Sequence, residues 1–165
     1  MLRSLHVQNF RRLRDVDVKN LGQVNLIVGS NSAGKTSLLE AIWLLRGEGL
    51  PVSFRVLTSL RQATVLTPSD ALPDATWPGL FNGTRWEEPI RMAGVEADDT
   101  HEELTVEPIR SVDQSATQPS VLVPAQFIER DGPAGLRFSY RGATNEPVTW
   151  EWRAGKQPAD ERTER

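Results

Sequence analysis

Apolar and polar residues alternate near the start of the chain, and this alternation predicts two short β-strands. Leu5 and Val7 share one face of a strand from Leu2 to Gln8, and Val16 and Val18 alternate with charged residues in a second strand. A period of two places every second side chain on the same face of a sheet. We therefore expect one apolar face on this pair of strands.

The same alternation recurs in the carboxyl-terminal part of the chain. Strands are predicted around 90–92, 104–106, 136–141 and 148–153, with shorter apolar runs at 121–123 and 127–128. Stretches 136–141 and 148–153 are close in sequence and both alternate, which predicts an antiparallel hairpin. Trp150 and Trp152 would share its apolar face. We interpret them as core residues, with base stacking as the alternative.

A different pattern occupies the middle of the amino-terminal segment. Val24–Val28 is an apolar run that predicts a buried strand, parallel to its neighbours. Apolar residues at helical spacing then predict a helix over Lys35–Arg46 that stops at Gly47. A second helix is predicted from Pro51 to about Gln62, since proline is tolerated at a first helical position.

Between the apolar run and the helix lies the strongest chemical signal in the sequence. Residues 29–36 read Gly-Ser-Asn-Ser-Ala-Gly-Lys-Thr, which matches G-x-x-x-x-G-K-[ST]. Such a loop turns backbone N–H groups and a helix N-terminus toward phosphates, so it predicts nucleotide binding. Lys35 would contact the β- and γ-phosphates, and the Thr36 hydroxyl would bind Mg²⁺. The predicted phosphate-binding set is Gly29, Asn31, Ser32, Ala33, Gly34, Lys35, Thr36 and Ser37.

Composition and charge narrow the possible functions. The chain has 165 residues and two histidines. It contains no cysteine, which excludes disulfide scaffolds, thiolate metal sites and a cysteine nucleophile. Neither a signal-peptide core nor an 18-residue apolar run is present, so we expect a cytoplasmic protein. Residues 1–46 carry seven Lys/Arg against three Asp/Glu, whereas all eleven prolines fall at or after Pro51. Asp98, Asp99, Glu102 and Glu103 are interpreted as a solvated acidic loop, with a metal cluster as the alternative.

The phosphate loop and its flanks resemble a known group of ATPases. Three stretches are similar to the amino-terminal head of RecF, SMC and OLD-like ABC-type ATPases. They are Leu5–Arg11 with its Asn-Phe-Arg triplet, Val24–Thr36 with Asn31 inside the loop, and the Leu-Leu-Glu-Ala-Ile that follows the loop. The resemblance implies an α/β fold: a P-loop NTPase core, here the amino-terminal lobe, with an antiparallel β-subdomain. That lobe would span residues 1–154, and residues 155–165 would form a disordered tail.

The resemblance also implies a function and a further ligand. ATP and Mg²⁺ would be bound by one half of a dimerising ATPase that acts in DNA repair, chromosome maintenance or anti-phage defence. Arg11, after the first strand, would approach the nucleotide phosphates. From composition alone Arg11, Arg12 and Arg14 are solvated charges, and Arg12 and Arg14 are also candidates for DNA phosphate contacts.

Two motifs of that group are not found in this sequence. No apolar strand leads into an Asp-Glu pair, and no serine- and glycine-rich signature segment occurs. Phe127-Ile128-Glu129 has too short an apolar approach to serve as that strand. We therefore expect ATP hydrolysis only when a carboxyl-terminal half completes the site. The expected partner is that half of the same ATPase or a second ATPase head. A non-catalytic or regulatory ATP-binding module and a small P-loop kinase are the alternatives.

Overall fold

The structure is a computed structural model that describes residues 1–47, 53–54, 56–57, 78–83, 85–109, 135–143 and 146–153. Six strands form one sheet in the order β2-β1-β3-β4-β5-β6. The strands are β1 Leu2–Phe10, β2 Leu13–Val18, β3 Ile90–Glu96, β4 His101–Ile109, β5 Gly135–Arg141 and β6 Val148–Arg153. Helix α1 spans Lys35–Arg46, and a 3₁₀ turn covers Pro78–Leu80. Across these described ranges, no helix is both long and apolar enough to cross a membrane.

The alternation in the sequence becomes rows of apolar residues that cross the sheet. Every strand pair is antiparallel, so directly opposed residues share one face. One row runs across all six strands through Val16, Val7, Met92, Leu104, Tyr140 and Val148. A second row joins Ile90, Val106, Phe138 and Trp150. These registers confirm the predicted strands, including the hairpin of β5 and β6.

Helix α1 covers the apolar face of the sheet and contacts β1, β3 and β4. Ala41, Leu44 and Leu45 are fully buried against it. Its carboxyl end is tied to the sheet by Arg46, which forms ion pairs with Glu96 and, at 2.9 Å, with Glu102. The predicted end of the helix at Gly47 is confirmed, since the Gly47 N–H donates to Trp43 O at 2.9 Å.

The predicted buried strand at Val24–Val28 is wrong for this structure. Residues 25–29 have no regular secondary structure, and Val24, Leu26 and Val28 are 91%, 87% and 77% exposed. An isolated apolar run becomes a strand only when neighbouring strands satisfy its backbone groups. All strands among the described residues pair antiparallel with one another and none lies beside this run. The parallel sheet expected for an α/β core is therefore not formed by the part of the chain described.

Several other sequence predictions fall partly outside the described residues. Of the second helix, only residues 53, 54, 56 and 57 are described, and they are helical. Phe54 is buried and packs edge-on against Phe138, with ring centroids 4.6 Å apart. Trp150 is partly buried against the core, which confirms its core interpretation. Other predictions lie outside the described residues: the Trp152 side chain, the runs at 121–123 and 127–129, and the tail at 155–165.

Asp98 and Asp99 lie in the turn between β3 and β4, whereas Glu102 and Glu103 lie in β4. The predicted acidic loop is therefore wrong for the two glutamates, because β4 already begins at His101. Asp98 accepts a hydrogen bond from the Thr100 N–H at 3.2 Å, and the Thr100 hydrogen bonds lower the pKa of Asp98. Glu102 pairs with Arg46, while Glu103 is exposed. Among the described residues no group of His, Asp and Glu has the arrangement of a metal site.

Candidate nucleotide-phosphate site

The phosphate loop leads directly into α1 and is shaped by one glycine. Gly34 precedes the helix with φ of 95°, a conformation that side chains other than glycine rarely adopt. A Cβ atom at Gly34 would lie 3.0 Å from Leu13 Cδ2 and 3.5 Å from Arg12 Cβ. The loop thus passes close to the β1–β2 hairpin, and only glycine permits that approach without strain.

The helix supplies backbone donors at this point that have no partner among the described residues. The first helical hydrogen bond runs from the Leu38 N–H to Gly34 O at 2.9 Å, so the amides of residues 35–37 precede it. The first turn contains no acidic residue that would neutralise the positive end of the helix dipole. Together these features make the beginning of α1 attractive to an anion.

A cavity of about 300 Å³ lies over the loop. Its walls combine backbone, hydroxyl groups and two cations, contributed by Arg12, Ser32, Ala33, Gly34, Lys35, Thr36 and Ser37. The structure therefore brings together six of the eight predicted loop residues. Gly29 and Asn31 are not in the cavity wall. No carboxylate contributes to that wall in the described part of the chain.

Lys35 folds back over its own loop. Its ammonium group donates hydrogen bonds to the carbonyl oxygens of Gly29 at 2.8 Å and Ser30 at 2.7 Å. The Ala33 N–H donates to Ser30 O at 3.3 Å and closes the turn. Lysine presents a compact charge with three donors, so it can meet a phosphate oxygen while keeping a carbonyl partner.

The Asn-Phe-Arg triplet has a structural role at each position. Asn9 is buried and its side-chain amide donates to the carbonyls of Arg85 at 2.9 Å and Glu88 at 2.8 Å. Phe10 is fully buried in the core. Arg11 is about 10% exposed, and its Nε lies 2.9 Å from Glu40 Oε2 on α1. The solvated interpretation therefore does not hold for Arg11, and its predicted contact with phosphate stays a prediction.

The sequence alone did not predict the roles of two residues, Glu40 on α1 and Arg12 in the β1–β2 turn. Glu40 was not singled out, although it is buried at the fourth position after the loop threonine, inside Leu-Leu-Glu-Ala-Ile. Arg12 was considered only as a solvated or DNA-binding charge, yet it lines the loop cavity. The available signal was a glutamate between apolar residues of the predicted helix, because a charge that the helix buries needs a partner.

Comparison with known proteins identifies the family of this chain. A model of the AAA ATPase domain family matches residues 1–105. The chain belongs to this family. The match includes the phosphate loop, the β1–β2 hairpin and helix α1, which are the elements that build the site.

Three relatives of this AAA ATPase domain show where the similarity is concentrated. The OLD nuclease of Thermus scotoductus is 50% identical over 58 residues, 34% of this chain and 11% of that protein. The DNA replication and repair protein RecF of Coxiella burnetii is 40% identical over 83 residues, 50% of this chain and 21% of that protein. An ATP/GTP phosphatase of Helicobacter pylori is 24% identical over 129 residues, 76% of this chain and 33% of that protein. The chain thus spans a third or less of each, and the predicted resemblance to RecF and OLD proteins is confirmed.

Proposed function

We propose that this chain binds ATP with Mg²⁺ through the loop of residues 29–37, as one half of a RecF/OLD-like ATPase. The observation that carries the proposal is the loop cavity, which joins free helix amides, hydroxyl groups and the Lys35 ammonium group beside Gly34. These groups fit the oxygens of a polyphosphate, which need several donors in one concavity. Thr36 is exposed in the wall and would offer its hydroxyl to Mg²⁺.

Binding is tested by titrating the chain with a fluorescent ATP analogue, with and without Mg²⁺. We expect weak, magnesium-dependent binding, because this wall is open on one side. Lys35→Ala should weaken binding about tenfold or more, since a charge-assisted hydrogen bond contributes ~1.5–3 kcal/mol. Lys19→Ala is the matched control, because Lys19 is exposed and pairs with Asp17 on β2. Equal affinities for all three proteins, or no binding at millimolar nucleotide, would contradict the proposal.

Hydrolysis is proposed to need groups from a complementary half. Phosphoryl transfer requires a carboxylate for the metal and a positioned water, and the described cavity wall has no carboxylate. Purified chain should therefore release negligible phosphate from ATP. Robust turnover that disappears in Lys35→Ala would refute this. A non-catalytic ATP-binding module is the second candidate, and the lack of a carboxylate in the described cavity wall favours it.

The exposed run at 24–28 is the surface that we propose for this complementary half. Val24, Leu26 and Val28 are exposed. A groove of about 590 Å³ lies between residues 24–27, β1 and the Leu39 face of α1. Exposed apolar patches of this kind mark contact surfaces. A parallel strand of the partner would satisfy the backbone of the run. The RecF and OLD relatives extend well beyond the matched region, which supports a partner of that origin.

Mixing the chain with the polypeptide encoded directly downstream tests this arrangement. We expect ATPase activity to appear on mixing and to be lost with Val24→Lys, while Val148→Lys leaves it intact. Val148 is the matched control, since it is an exposed valine of β6 at the opposite edge of the sheet. Activity lost equally in both variants would argue against the surface. We place the completed ATPase in the cytoplasm, in DNA repair, chromosome maintenance or anti-phage defence.

A further inference from the structure

The two consecutive arginines of the β1–β2 turn have different surroundings. We propose that Arg12, and not Arg11, is the hairpin cation that binds the nucleotide phosphates, and that Arg11 fixes the turn against α1. This inference rests on the proposed function. It reassigns by one residue the contact that the Asn-Phe-Arg resemblance gives to Arg11.

Arg11 is engaged with the helix and the core. Its Nε lies 2.9 Å from Glu40 Oε2, with both side chains about nine-tenths buried. Its guanidinium carbon lies 5.4 Å from the centre of the Phe10 ring. A buried charge pair of this kind is costly to break, because either partner alone would be left as an unpaired charge in the interior. Arg11 is therefore held against α1, and it is not in the cavity wall.

The backbone of the turn prevents the two arginines from exchanging places. The Arg11 N–H donates to Leu80 O at 2.8 Å, and the Asn82 side-chain amide donates to Arg11 O at 2.7 Å. Arg11 also has φ of 51°, which fixes the direction in which the chain leaves β1. Sliding the turn by one residue would break both bonds and move Arg11 out of its buried pair.

Arg12 starts beside the phosphate loop. It is exposed, it lines the loop cavity, and its Cβ lies 3.5 Å from the position of a Cβ on Gly34. In the described part of the chain no ion pair or side-chain hydrogen bond engages its guanidinium group. Lys35, the other cation of the wall, already donates to two carbonyls. The planar fork of arginine matches two phosphate oxygens, so Arg12 complements the single-point contact of Lys35.

The test measures the affinity for Mg-ATP of three single variants and one double variant of the full chain. Arg12→Ala should weaken binding about tenfold or more, and Arg12→Gln, which keeps a polar side chain without the charge, should behave alike. Arg14→Ala is the matched control, an exposed arginine of the same hairpin outside the cavity wall, and should stay within about twofold. Arg11→Met/Glu40→Leu replaces the buried pair with apolar residues, which proteins often tolerate, and should bind within about threefold of the parent.

The outcomes separate this inference from the proposed function. If the parent chain binds ATP but Arg12→Ala and Arg12→Gln match Arg14→Ala, the inference is refuted and the proposed function stands. A second outcome also refutes the inference: Arg11→Met/Glu40→Leu loses binding while its circular dichroism shows that it is folded, and the Arg12 variants bind like the parent. That result would assign the phosphate contact to Arg11. A parent chain that binds no ATP refutes both.

Discussion

Replacing Asn9 by alanine should destabilise the chain more than any surface substitution, because this side chain connects β1 to the segment before β3. Asn9 is 4% exposed. Its amide nitrogen donates to the carbonyls of Arg85 at 2.9 Å and Glu88 at 2.8 Å, and its Oδ1 accepts from the Asn82 N–H at 3.2 Å. Alanine removes all three bonds.

The magnitude follows from the groups that lose a partner and from the backbone. Two partly buried carbonyls would lose a donor, at about 1–3 kcal/mol each when no water replaces it. Asn9 also has φ of 55°, a left-handed conformation that asparagine tolerates and alanine adopts at a further cost of roughly 1 kcal/mol. We therefore expect a loss of about 3–7 kcal/mol in the free energy of unfolding, nearer the lower value because the Arg85 carbonyl keeps the Glu88 N–H at 3.2 Å. That is a large part of the ~5–15 kcal/mol typical of a domain.

Urea denaturation followed by tryptophan fluorescence measures this loss, since Trp86 packs against the core near the Asn9 contacts. Asn9→Gly is the companion variant: it loses the same hydrogen bonds but has no penalty for a left-handed backbone. It should be more stable than Asn9→Ala by about 1 kcal/mol. A loss below about 1 kcal/mol for alanine would refute the role of the hydrogen bonds. Equal stabilities of the two variants would refute the role of the backbone.

Two further predictions concern packing and charge. Gly94→Val should lower the free energy of unfolding by about 1–3 kcal/mol, because a Cβ there would lie 2.8 Å from side-chain atoms of both Leu2 and Leu45. Calorimetry would measure the fall in melting temperature. An unchanged melting temperature would contradict the close packing of α1. His6→Ala should raise the pKa of Asp15, since the hydrogen bond from His6 is the main cause that lowers it. Because the folded-state pKa is depressed, the stabilisation by this pair is full above about pH 4 and is lost as pH falls through the folded value. An NMR titration of the Asp15 carboxyl that is the same in both proteins would rule out this cause.

Local patterns in the sequence were enough to predict the strands of the sheet, the β5–β6 hairpin and the loop-helix unit. Phe138 and Trp150 face each other as their alternation predicted, and Gly34 opens α1 as the phosphate-loop pattern predicted. The burial of Leu26 was predicted wrongly, because burial depends on a neighbouring strand and not on the run itself. The pair of Arg11 with Glu40 could not be predicted, since it depends on how the hairpin turn meets the helix.

Long-range pairing of β1 has a consequence for the order in which the protein can fold during synthesis. Asn9 and its partner Arg85 are 76 positions apart, and β1 is paired with β3 beyond that point. At roughly 5–20 residues per second, a ribosome needs about 4–15 s to make the intervening chain. The phosphate loop is synthesised early in this interval, when β3 is not yet available to the hairpin that supports the loop. A nascent chain should therefore acquire affinity for nucleotide only after β3 has left the exit tunnel.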